Sequence, residues 1–213
     1  GISGLGNEKL TLSGSTSVTN ANTLDTDTTG VITATISETD AATLVTLTGT
    51  GNAYTITIGD TSVTAAQLNT IDGVTSVAVN AATVTTITGA AAAVITAYDS
   101  SGISGLGNEK LTLSGSTSVA NANTLDADTT GVITATISET DAATLATLTG
   151  TGNAYTITVA DTSVTAARLN TIDGATTVSI TATAVTTITG TASAVNTALS
   201  SSEITGLGEE FVT

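Results

Sequence analysis

A β-rich repeat solenoid, in which parallel strands stack in coils with short helices of one to two turns between them, is the fold class this sequence predicts. Three observations lead there. The chain repeats itself. Each repeat alternates short capped segments with strand-like runs. The side chains available for a core are small or β-branched, with an aromatic content of only 2% and no Pro, Cys, Met, Trp or His. Such a core is thin and suits a stack better than a sphere.

The repeat comes first, because it decides the architecture. Shifting the chain by 101 residues aligns 1–101 with 102–202 without a gap and leaves 18 differences, among them Ile58 against Val159, Val79 against Ile180 and Thr26 against Ala127. Residues 203–213, EITGLGEEFVT, then match the opening GISGLGNEKLT. The expected organisation is therefore one copy over 1–101, a second over 102–202 and the start of a third over 203–213. A unit of this kind cannot bury its own apolar face and gains a core by stacking on its neighbours.

Within the first copy, Leu10 and Leu12 alternate with Thr11 and Ser13, which predicts a strand. Ala21–Gly30 reads as a degenerate helix, with Asp27 where an apolar residue belongs. Ile32, Ala34 and Ile36 mark the next strand. Ala41–Gly49 follows as a short helix with Asp40 as cap and Leu44 and Leu47 on one face. Tyr54, Ile56 and Ile58 form a third strand. Ala65–Gly73 is the clearest helix, with Thr64 as cap, Leu68 and Ile71 as its apolar face and Gly73 suited to a left-handed end. Val77 and Val79 alternate as a fourth strand. Ala81–Gly89 repeats the helix theme with Asn80, Val84 and Ile87. Ala91–Tyr98 adds a second helix before a Gly-rich loop that runs to Gly107. Strand centres fall roughly 21 to 24 residues apart, with a longer step of about 34 into the next copy. This gives eight coils and the start of a ninth, with parallel pairing because a crossover separates consecutive strands. The rival architecture is a pair of tandem all-β sandwich domains, which needs hairpin turns, and paired type I′ signals are missing.

Composition narrows the function classes. Eighteen acidic residues against three basic ones, Lys9, Lys110 and Arg168, give a net charge of −15. That balance argues against nucleic acid and anionic lipid as partners. The longest apolar stretch, Ala90–Ile95, is far short of the roughly 20 residues a membrane-spanning helix needs, so no membrane span is expected. The chain opens at Gly1 without a signal peptide, as expected of a processed product or a segment of something longer. Without His or Cys, and with most acids recurring at a fixed period, no catalytic residue is expected.

Three features could carry binding. Asp25, Asp27 and Thr29 form a D-x-D-x-T-G run, repeated by Asp126, Asp128 and Thr130. Alternate oxygen ligands closing on a Gly are how calcium loops begin, and calcium is the one cofactor this pattern admits. The bidentate Glu of such loops is missing, since position 36 is Ile36, although Glu38 and Asp40 could approach from the next coil. Thr33/Thr35, Thr55/Thr57, Thr134/Thr136 and Thr156/Thr158 form outward ranks that could meet glycans, a surface or ice, or could simply fill an exposed strand face. Finally, uncapped coil ends would bind copies of the chain or flanking repeats.

The motifs ISGLGNEKLTLSG (Ile2–Gly14), ITGLGEE (Ile204–Glu210), VTAAQLNTIDG (Val63–Gly73) and VTTITGAAAAV (Val84–Val94) resemble the Thr/Ala-rich tandem arrays of very large bacterial, cyanobacterial-type surface proteins. The resemblance covers essentially the whole chain. It implies an extracellular or cell-surface location and a structural or adhesive role: a filament subunit or a stalk or matrix segment, with a calcium-dependent adhesive module as the alternative. The glycine-rich GGxGxD nonapeptides of calcium-binding β-rolls are absent, so their ligands do not carry over.

Overall fold

Strand, capped helix and strand alternate along the computed structural model, which describes residues 6–208 and 211–212. The chain forms two units, residues 1–89 with 93–109, and residues 90–92 with 110–213. In order, the first contains β1 (Leu10–Thr16), α1 (Val18–Asp27), β2 (Ile32–Ile36), α2 (Ala41–Leu44), β3 (Ala53–Thr55), β4 (Ser62–Thr64), α3 (Ala65–Asp72), β5 (Val79–Asn80), β6 (Thr86–Gly89), most of α4 (Ala91–Asp99) and β7 (Ile103–Ser104). The second contains β8 (Lys110–Thr117), α5 (Val119–Asp128), β9 (Ile133–Ile137), α6 (Ala142–Leu145), β10 (Ala154–Thr156), β11 (Ser163–Thr165), α7 (Ala166–Gly174), β12 (Ile180–Thr181), β13 (Thr187–Thr189), α8 (Ala192–Ser200), β14 (Ile204–Thr205) and β15 (Phe211–Val212). The division falls after Glu109 and not at the sequence repeat. β7 pairs with β5, and the Glu109 carboxylate accepts from the Tyr98 hydroxyl at 2.6 Å and the Gly107 amide at 2.8 Å.

The described pairings are parallel. In the first unit β1, β2 and β3 form one sheet, β4 pairs with β6, and β5 with β7. The second repeats this as β8-β9-β10, β11-β13-β15 and β12-β14. Partners lie 20 to 24 residues apart in sequence: Leu10 with Ile32, Thr33 with Ala53, Val63 with Ile87, Val79 with Ile103. The fold is thus α/β, with parallel strands in several sheets and eight short helices among the described residues. The antiparallel hairpins that tandem sandwiches require are absent from these pairings.

Alternation does the local work. In β2, Ile32, Ala34 and Ile36 are buried while Thr33 and Thr35 face out. Tyr54, Ile56 and Ile58 continue the inward row, and Leu44, Leu68, Ile71, Val84 and Ile87 close the core from the helical and opposite sides. Each fully buried Leu or Ile side chain contributes about 2 kcal/mol.

Four expectations need correction. The helix placed at Ala21–Gly30 starts earlier: Ser17 caps it by accepting from the Asn20 amide at 3.2 Å, and Val18, Ala21 and Leu24 supply a spacing of three, so Asp27 is its last residue rather than a flaw in its face. The helix expected over Ala81–Gly89 is a turn followed by β6. Val84, Thr85, Thr86, Ile87 and Thr88 are five consecutive β-branched residues, and that stiffness outweighs the i, i+3 spacing. Gly73 ends α3 in the right-handed region, at φ −65°, not the left-handed one. β1 is not a plain strand. Its register on β2 jumps between Thr11 and Ser15, with Gly14 at φ +75°, and β8 repeats the bulge with Gly115 at φ +70°. The start of the Ile2–Gly14 motif, and Glu209, Glu210 and Thr213, lie outside the described residues.

Candidate functional site

The acidic run falls on the last turn of α1 and the residues after it. Helical geometry separates its carboxylates, because residues two apart on a helix point about 200° apart. Asp25 turns inward. Its Oδ1 accepts from Asn52 Nδ2 at 2.9 Å and its Oδ2 from the Thr48 hydroxyl at 3.3 Å. Asn52 is buried and passes the chain on, its Oδ1 accepting from the Ile32 amide at 2.9 Å. Asp27 faces solvent. Thr29 gives its hydroxyl to the Gly6 carbonyl at 3.0 Å, beside Thr28, which donates to the Glu8 carbonyl at 2.8 Å. The second copy reproduces the core of this: Asn153 donates to Asp126 at 2.8 Å and accepts from the Ile133 amide at 2.8 Å, and Thr149 donates to Asp126 at 3.4 Å. Asp128 is half-buried, and Thr130 is exposed.

A cleft opens beside each carboxylate, about 220 Å³ in the first copy and 360 Å³ in the second. Asp25, Thr29, Gly30, Thr50 and Asn52 line the first. Gly49 sits against Asp25 at φ +83°, where a Cβ would collide with the carboxylate, and Gly150 does the same against Asp126 at φ +78°. The residue type is fixed twice over, by backbone conformation and by close approach. Tyr54 is fully buried nearby, and its hydroxyl has no hydrogen-bond partner. Burial, and then the charge of Asp25, push its pKa up to about 12. Tyr155 is pushed up in the same way by burial and by Asp126.

These residues do not fit a calcium loop. Such a cation takes about six to eight oxygens. Here Asp25 is committed to Asn52 and Thr48, Thr29 to Gly6, and Asp27 points elsewhere. No group of three or more carboxylates converges among the described residues. The arrangement ties a helix end to the strands before and after it.

The threonine ranks are narrow. Ser15, Thr35 and Thr55 stand side by side and exposed, as do Ser116, Thr136 and Thr156. The neighbouring ranks are interrupted, with Ala53 beside Thr33 and Asn80 beside Thr57.

Sequence reasoning missed two sets of polar clasps between elements about 20 to 24 residues apart. Glu38 accepts from the Val18 amide at 3.0 Å, and Asp60 from the Ala41 amide at 2.7 Å, so an acid 19 or 20 residues downstream caps each helix start. Glu139 and Asp161 repeat this on Val119 and Ala142. Asn22 donates to the Thr46 carbonyl at 2.8 Å and accepts from the Thr48 amide at 2.8 Å, while Asn69, Asn123 and Asn170 each donate to a carbonyl 24 residues on. The available signal was an Asn at the same place on four helices. Burial disfavours charge on Glu38, but the Ser37 hydroxyl and the Val18 amide more than offset it and hold its pKa low. Hydrogen bonds from Thr43 lower Asp40, and those from Thr144 lower Asp141.

No protein-family model, curated protein or solved structure matches the chain.

Proposed function

We propose that this chain is a structural repeat segment, a β-rich solenoid serving as a filament subunit or stalk outside the cell, without catalysis. The observation that carries the reading is the constant pairing interval. Described parallel pairs join residues 20 to 24 apart, and the asparagine and carboxylate clasps keep a similar step. A narrow range of intervals is what stacked coils require, and it supports a reading of about four coils per 101-residue copy. The site geometry supports the same reading, because its carboxylates are engaged in holding one coil to the next. The extracellular assignment is supported by the likeness of the repeat motifs to bacterial surface arrays and by a surface free of Cys.

Electron microscopy of a ten-copy tandem array tests this. Strands spaced about 4.8 Å apart make four coils add about 19 Å per copy. Independent globules of 100 residues, with a radius of gyration of about 13 Å, would add more than about 30 Å per copy. A beaded particle at the larger spacing would overturn the solenoid.

A further inference from the structure

We infer that β1 is a docking strand for the β15-side edge of β13 in a second copy of this chain, and that β15 competes for the same edge. The inference rests on the repeat reading above and adds the contact by which copies join. β13 pairs with β11 on one side and β15 on the other, with Thr187 opposite Phe211 and Ile188 opposite Val212. A shift of 202 residues places Phe211 and Val212 on Lys9 and Leu10, so β15 is the opening of the strand that β1 extends over seven residues. The edge of β13 therefore accepts a repeat-opening strand. β15 meets it with two residues, where β1 has seven to offer.

β1 is itself an edge strand, paired only with β2 among the described residues. An edge of this kind is a template for another chain. Its side chains are suited to deeper burial than they have. Leu10, Leu12, Thr16 and Leu24 are half-buried, yet their twins Leu111, Leu113, Thr117 and Leu125 are buried. A cleft of about 500 Å³ opens here, with Leu12, Thr16 and Leu24 in its walls. The second unit has a counterpart of about 470 Å³ beside β15, with Leu199, Leu207 and Val212 in its walls. Leu199 and Val212 are among the most exposed large apolar residues, at 45% and 54%. The occupant is a second copy, because β15 shows that this edge of β13 pairs in parallel with a repeat-opening strand, and β1 carries the matching repeat position with one edge unpaired among the described residues. A head-to-tail contact of this kind does not close, so it builds a linear chain. Both partners carry −15, so salt strengthens the association.

Light scattering coupled to size exclusion on the full chain tests the inference, over a concentration series in moderate and high salt. The wild-type mass is expected to rise above 20.6 kDa with concentration. Val212→Pro removes a backbone donor from β15 and should reach the same mass at about tenfold lower concentration. Leu12→Lys should stay monomeric with an unchanged circular dichroism spectrum, since Leu12 is only half-buried. The inference fails if wild type and Val212→Pro both remain monomeric to about 1 mM, or if Leu12→Lys assembles like wild type. Competition by β15 fails if Val212→Pro assembles no more readily than wild type. Array length per copy does not depend on association between chains, so the solenoid and the docking strand fail separately.

Discussion

Residues 1–18 and 102–119 are identical, yet their described residues live in different surroundings. Leu111 and Glu109 are fully buried, whereas Leu10 and Glu8 are only half-buried. Glu109 accepts from Tyr98 as well as from the amides of Gly107 and Asn108, while the described partners of Glu8 are the Gly6 and Asn7 amides alone. In this chain the energetic weight of a side chain is set by what surrounds it and not by its local sequence.

The largest expected effect tests that directly. Leu111→Ala should cost about 3 kcal/mol and Leu10→Ala about 1 kcal/mol or less, read from guanidinium denaturation. Equal costs would break the comparison.

Where surroundings match, costs should match. Asn52→Ala and Asn153→Ala each strip a partner from a strand amide and from a carboxylate, and each should cost about 2 kcal/mol. A marked asymmetry between them would mean that the copies differ beyond their opening segment.

Stability is expected to fall at both ends of the pH scale. Glu8, Glu38, Asp40 and Asp141 are all held below the usual carboxylate range. The stability they confer is present above about pH 4 and is lost as pH falls through their lowered values. Acid unfolding is therefore expected below about pH 4, and Glu38→Gln should move the midpoint. The tyrosines act in the opposite sense. Tyr54 is raised, so its contribution is complete below about pH 10 and is lost as pH rises towards about 12. Phenolate absorbance should show Tyr54 and Tyr155 ionising only as the fold opens.

How much of this was legible follows from the range of the forces involved. The 101-residue period, the inward rows of Ile32, Ala34 and Ile36, and the capped helix after Thr64 rest on local pattern, and they were readable. The strand at Thr86–Gly89 was not, because spacing of three and β-branching pointed in opposite directions and the Thr61 carbonyl decided between them. It accepts from both the Thr85 and Thr86 amides. Asp25 was legible as special but not for the reason given. Its partner Asn52 lies 27 residues away, and no local pattern couples a helix carboxylate to a turn two elements later. The clasps of Glu38 and Asp60 were hidden in the same way, each acid reading locally as a solvated loop residue.

The smallest effect comes from a helix start at which the copies differ in capping chemistry. At α3, Thr64 accepts from the Gln67 amide at 3.1 Å, while the Gln67 side chain accepts from the Thr64 amide at 2.9 Å, a reciprocal pair that satisfies two end-of-helix donors. At α7 the same place holds Arg168, which has no acceptor to return, and only the Thr165 hydroxyl bond remains, at 3.3 Å. Arg168→Gln should therefore stabilise the second copy by about 0.5 kcal/mol, and Gln67→Arg should destabilise the first by a similar amount. Because the opening segments differ through surroundings and these helix starts through sequence alone, the double exchange should leave total stability nearly unchanged. A net loss in that double variant, measured by chemical denaturation, would show that the two helix starts are not equivalent and that the copies diverge here as well.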